Sequence, residues 1–179
     1  VGKMFGLNLA TKAGVGTASM DVGGGVIVGV LVAVNAFGDV IDPNTGVVIA
    51  GLRSGKVGPL RLGGKEKYAD TLAMMKKPVG RGILGLASRA NTVIGVVATN
   101  AKLNKAQATK IAQMAQDGIA RTIRPAHTML DGDVIFTLST GTRKADISVL
   151  GAFAAEVMAE AILRAVRLAK PAGGLPGLG

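Results

Sequence analysis

Cysteine is absent from the 179-residue chain. That single absence removes disulfides, thiolate metal sites and a cysteine nucleophile, and it fits a reducing cytoplasm, where the protein is expected to reside. Tryptophan is also absent and tyrosine occurs once, so there is no aromatic platform on which single-stranded bases could stack. Acidic residues are scarce, 11 against 21 Lys and Arg, which leaves a net charge of +10. Such a balance invites a nucleic-acid reading. The basic residues are scattered, however, and their densest group is Arg53, Lys56, Arg61, Lys65 and Lys67. That stretch reads as a solvated surface or a subunit contact, and no nucleic-acid partner is expected. Long apolar runs are missing too. Val26 to Val34 falls short of the ~20 residues a bilayer span needs, and no charged segment precedes a cleavable apolar core. No membrane partner is expected. The chain opens on Val1 rather than Met and is read as a fragment or a processed product of something longer.

Hydrophobic residues make up 49% and charged residues 18% of the chain, a globular balance sufficient for one well-buried domain. Stretches 14–20 and 26–34 read as two strands joined around Gly23-Gly24-Gly25, a hairpin signal. Val40–Ile41 and Val47–Ala50 flank Asp42-Pro43-Asn44-Thr45-Gly46, where Pro fixes φ and Gly supplies a positive-φ position. From Leu52 to Lys67 periodicity is lost, and a long mobile loop is expected. Tyr68–Lys77 reads as a short helix ended by Pro78. Thr92–Thr99 is a buried strand by length and β-branched content. A helix from Lys105 to Thr122 follows, with Asn104 as N-cap and Ile111, Met114, Ala115, Gly118 and Ile119 on one face. Val134–Leu138 is a further strand. Ile147, Leu150, Ala154, Val157, Met158, Ala161, Ile162 and Ala165 mark the inner face of a long final helix. The tail from Pro171 should fray. This order predicts layered sheets with helices outside.

Residues able to carry chemistry are few. Thr92 stands at the mouth of its strand, directly after Asn91, which ends a Gly- and Arg-rich loop. A threonine hydroxyl is a poor nucleophile unless a base adjoins it, and its own α-amine is such a base once the preceding peptide bond is cut. Asp131-Gly132-Asp133 sets two carboxylates just before a strand. They read as a solvated turn, as half of a cation site with too few oxygen ligands, or as a pair that orients a nearby amine or hydroxyl. The lone histidine, His127, follows Arg124-Pro125 with no Gly-x-Ser-x-Gly elbow to accompany it, and reads as structural. Lys3 and Asn35 are ordinary by themselves. The methionines read as gap-filling, and Gly14-Val15-Gly16-Thr17 lacks the lysine and spacing of a phosphate loop. Neither a cofactor nor a metal is called for.

Several motifs, taken together, resemble the DmpA-like L-aminopeptidase/D-esterase family of autoprocessing N-terminal-nucleophile-type hydrolases, which includes the nylon-oligomer hydrolases. They are Val1-Gly2-Lys3, the run from Lys12 to Ser19, Val32-Ala33-Val34-Asn35 with Gly38-Asp39, and the run from Asn91 to Thr99. Lys105-Ala106-Gln107-Ala108, the run from Arg124 to Thr128, and Asp131-Gly132-Asp133 complete the set in the same order. The resemblance implies an α+β fold, a four-layer αββα sandwich of the DmpA/ornithine acetyltransferase type. It implies one hydrolase domain over residues 1–179, self-cut between Asn91 and Thr92. Residues 1–91 would then be the C-terminal part of an α subunit and residues 92–179 a β subunit, assembled as a homo-oligomer (a tetramer) of αβ units. Lys3, Asn35, Asp131 and Asp133 match the positions that surround the nucleophile in the nylon-oligomer hydrolase branch. Family members carry an upstream segment, including a further active-site tyrosine, that has no counterpart in this chain.

The expected activity is amide hydrolysis by the N-terminal Thr92 on peptides or linear oligoamides. Lys3 and Asn35 would hold the amine, hydroxyl or oxyanion, while Asp131 and Asp133 would orient the Thr92 amine. Two alternatives keep different parts of this picture. An acyltransferase of the ornithine acetyltransferase type would pass the acyl group to an amine. A basic binding module would use the Arg53–Lys67 surface without catalysis.

Overall fold

The computed structural model describes residues 1–86 and 90–179. In chain order it runs β1 (Val15–Asp21), β2 (Ile27–Asn35), β3 (Asp39–Ile41) and β4 (Val48–Ala50). It continues through β5 (Gly55–Val57), β6 (Leu60–Leu62), α1 (Thr71–Met75) and α2 (Pro78–Ile83). The remainder is β7 (Thr92–Ala101), α3 (Lys105–Thr122), β8 (Ile123–Arg124), β9 (Val134–Arg143) and α4 (Ile147–Arg167). Residues 87–89 of the Gly- and Arg-rich loop lie outside the described residues.

The principal sheet has the order β1-β2-β7-β9. β1 and β2 form the expected hairpin, and β7 pairs antiparallel with β2 so that Asn35 faces Thr92. β9 runs parallel to β7. A parallel pair needs a crossover, commonly a helix, and α3 supplies it. Its start is secured by a capping box in which Asn104 Oδ1 accepts from the Gln107 amide and Gln107 Oε1 accepts from the Asn104 amide, satisfying two donors that the first turn leaves free. Asp146 caps α4 by accepting from the Val149 amide.

Both long helices cover one face of this sheet, α4 over β1 and β2 and α3 against β9. Val28, Val30, Val32, Val34, Val93 and Val97 meet Ile111, Ile119, Leu150, Met158 and Ile162 there, all buried. Approach is closest at Gly16, where a Cβ would stand 1.9 Å from the Ala161 carbonyl oxygen. β2 and β7 alternate along their length, but the other face is not polar: Val15, Leu31, Ile94, Phe136 and Leu138 are exposed on it. A strand apolar on both sides belongs to a sheet covered on both sides, as in the inner layers of an αββα sandwich. Helix and sheet from this chain form such layers in an α+β arrangement.

A second, smaller core of Met4, Phe5, Phe37, Leu52, Leu62 and Met74 underlies the first two of three departures from the sequence reading. Residues 52–67 are not one loop: β5 and β6 form a hairpin, held because Leu52 and Leu62 are buried. Pro78 begins α2 rather than merely ending α1, since its missing N–H costs nothing in a first turn. The two-residue β8 pairs with β3 in a three-stranded sheet, order β4-β3-β8. It is too short to leave a periodic signal. The tail does not fray either. Pro176 accepts from the Lys12 amide, and the Leu178 amide donates to Ala169. The final strand extends past Leu138 to Arg143.

Candidate active site

Thr92 opens β7 opposite Asn35, the last residue of β2. Because Val93 and Val34 point into the helix-side core, alternation sends Thr92 and Asn35 to the open face. The parallel pairing of β7 and β9 brings the starts of both strands together. The Asp131-Gly132-Asp133 turn therefore lies beside Asn91-Thr92, with a bridge between Asn91 and Asp131.

Around this junction the backbone carbonyls collect donors. The Asn91 carbonyl accepts from the Gly132 amide at 2.8 Å and from the Thr92 hydroxyl at 2.5 Å. The preceding carbonyl, that of Ala90, accepts from Asn35 Nδ2 at 3.0 Å and from Lys3 Nζ at 3.4 Å. Lys3 Nζ also donates to Asn35 Oδ1 at 2.7 Å and to the Asn35 carbonyl at 2.9 Å. Lys3 is pinned there by its own backbone: its amide donates to Phe37, and that of Gly2 donates to Gly38. Gly2 sits at φ +69, and a Cβ there would lie 1.9 Å from the Leu52 nitrogen, so only glycine lets the chain pass. Burial holds the Lys3 ammonium below its ordinary pKa of 10.5, against the opposing pull of the Asp131 carboxylate.

The two carboxylates grip the surroundings of Thr92. Asp131 Oδ1 accepts from the Phe37 amide at 3.0 Å, tying the turn to the end of β2. Its Oδ2 accepts from the Thr128 hydroxyl at 2.6 Å and the Thr128 amide at 3.2 Å. Asp133 Oδ1 accepts from the Val93 amide at 2.8 Å, and its Oδ2 lies 3.0 Å from His127 Nδ1. Lys3, Asn35, Asn91, Thr92, Asp131 and Asp133, the six residues predicted from sequence, thus share one neighbourhood. The Asp133 carboxylate holds the residue after Thr92, and the Gly132 amide holds the carbonyl of the residue before it. Sequence reasoning missed the Gly132 amide, Thr128 and the His127–Asp133 contact. Backbone donors leave no residue-type signal, and a histidine six residues from an aspartate shows its partner only once the turn is folded.

Lys3, Asn35 and Thr92 line one side of a cleft of ≈ 440 Å³, with aliphatic walls from Val15, Ala33 and Ile94. Among the described residues no cluster of three or more His, Cys, Asp or Glu could hold a metal, and no helix is long and apolar enough to cross a membrane.

Thr92 opens a strand at the end of this helix-covered sheet, and solved structures similar to the chain have the N-terminal-nucleophile hydrolase fold. The structure matches that of the L-aminopeptidase D-Ala-esterase/amidase from Ochrobactrum anthropi, a variant of that fold. The TM-score is 0.55 at 21% identity, over 94% of this chain and 47% of that one. The chain belongs to Peptidase family S58, whose model matches residues 6–178. It is 41% identical over 182 residues to an uncharacterized aminopeptidase of Mycobacterium tuberculosis, covering 93% of this chain and 51% of the relative. It is 29% identical over 165 residues to a 6-aminohexanoate-oligomer endohydrolase of Paenarthrobacter ureafaciens, covering 85% and 44%. The chain spans about half the length of these curated relatives.

Proposed function

We propose that the chain is part of a self-cleaving amide hydrolase in which Thr92 first cuts the bond that precedes it and then serves as an N-terminal nucleophile. The observation that carries this reading is the Asn91 carbonyl, which accepts from Gly132 and lies within 2.5 Å of the Thr92 hydroxyl oxygen. In the first step Thr92 Oγ1 bonds to the Asn91 carbonyl carbon, and the C–N bond to Thr92 breaks. The hydroxyl proton passes to the departing amine. Water then opens the resulting ester, leaving a carboxylate on Asn91 and restoring the Thr92 hydroxyl beside a free amine. Residues 1–91 and 92–179 become separate chains.

The amide of Gly132 is poised to meet charge developing on the attacked oxygen. A single donor of this kind contributes roughly 3–4 kcal/mol in known oxyanion holes. Lys3 and Asn35 fix the chain one residue upstream through the Ala90 carbonyl. In the cut enzyme the Thr92 amine takes the hydroxyl proton while Oγ1 attacks a substrate amide, giving an acyl-enzyme that water releases. Peptides or linear oligoamides are the proposed substrates. This accords with the aminopeptidase and 6-aminohexanoate-oligomer endohydrolase relatives and with the aliphatic cleft walls.

Intact-mass measurement of the purified protein tests the proposal. Wild type should resolve into two fragments meeting at Asn91/Thr92, while Thr92→Ala should remain one inactive chain. An uncut wild-type protein that hydrolyses amides would overturn the mechanism.

A further inference from the structure

We infer that His127 is a positioning residue for Thr92, acting through the Asp133 carboxylate; this rests on the reading of Thr92 as nucleophile. The position of Thr92 depends on the backbone that follows it, and there the Val93 amide donates to Asp133 Oδ1 at 2.8 Å. A carboxylate fixed by one oxygen can still swing about its Cβ–Cγ bond. The imidazole of His127, 3.0 Å from Oδ2, removes that freedom. Asp133 is the inner member of the pair, its side chain only 5% exposed, whereas that of His127 is 39% exposed.

Packing does not account for His127, because so much of the ring meets water. Its backbone nonetheless holds φ at +52, one of two positive-φ positions not filled by glycine among the described residues. Side chains seldom adopt that region, although Asn, Asp and His do so more than others. An unfavourable backbone kept at an exposed position points to a task performed by the side chain. The contact available is the one with Asp133. With Nδ1 carrying the proton, the chain of contacts runs from imidazole to carboxylate to the Val93 amide, and so to the residue that attacks.

Two substitutions in the full-length protein separate positioning from turn formation. His127→Gly relieves the backbone but deletes the donor; His127→Asn keeps a donor and tolerates the positive φ. The glycine variant should melt no lower than wild type yet self-cleave more slowly by roughly 10- to 100-fold, the scale of one hydrogen bond to a charged group. The asparagine variant should cleave within about threefold of wild type, since it keeps a donor for the Asp133 carboxylate. A glycine variant that cleaves at the wild-type rate, or an asparagine variant as slow as glycine, overturns the inference and leaves Thr92 untouched. Wild type that stays whole takes down both. Long-range proton–nitrogen spectra of the wild-type imidazole, assigned by loss of the signal in His127→Asn, give a readout that does not depend on the glycine variant folding. A proton on Nδ1 is expected; a proton on Nε2 with Nδ1 bare would refute the contact.

Discussion

Lys3 shows how an unremarkable residue type acquires partners from its surroundings. In sequence it is one lysine among many. In the fold its ammonium donates to both oxygens of Asn35 and to Ala90, and burial depresses its pKa. Between that lowered value and the ordinary 10.5, the unfolded chain binds more protons at this position than the folded one. Stability contributed here therefore rises with pH across that window; the penalty is complete below it and gone above it. Lys3→Met should flatten the rise, read from thermal melts at stepped alkaline pH. An unchanged slope would mean that burial of Lys3 does not weigh on stability. The place of Thr92 was legible for a different reason: the β-branched run after Asn91 marks the entrance of a strand. The Gly132 amide had no such mark, because every residue but proline carries one.

Among elements, the long ones announced themselves, whereas the short β5, β6, β8 and α2 did not. The span of α3 and its cap were readable because eighteen residues give several turns of periodicity, and Asn104 with Gln107 spells a capping box. The β5–β6 hairpin was hidden by its lysines and arginines, and the fold recovers it through a few buried leucines. β3 owes its place to a buried carboxyl group. Asp39, 1% exposed, accepts from the Leu52 amide at 2.7 Å, the Thr71 hydroxyl at 2.7 Å and the Thr71 amide at 2.5 Å. It thereby ties β3 to α1 and to the turn before β5. Asp39→Ala would strand three donors inside the protein, and a loss on the order of 3–5 kcal/mol is expected in denaturant titrations. A loss below 1 kcal/mol would show that these donors find other partners.

On the scale of the whole molecule, the principal sheet is the component whose environment differs most between its two sides. Helices seal one; aliphatic and aromatic side chains crowd the other, at whose edge Thr92 and Asn35 stand. Phe136 lies on that open side in the edge strand β9, with Val96 as its register partner. If another layer stacks there, as the family architecture implies, Phe136→Asp in the full-length protein should cost about 3 kcal/mol or more, like other buried charges without partners. A surface position would change by less than about 0.5 kcal/mol. Equilibrium unfolding distinguishes the two, and the larger cost is expected.

The way β1 and β2 interleave with β7, β9 and α4 has a consequence for anyone handling the processed protein. A break before Thr92 would leave two polypeptides that are each half of one sheet: β2 remains zipped along β7 from Val28–Thr99 to Asn35–Thr92, and α4 still lies across β1 and β2. Neither piece could leave without tearing that seam open. Under native conditions the pair would therefore travel through a column as one particle, and the nick would come to light only after denaturation.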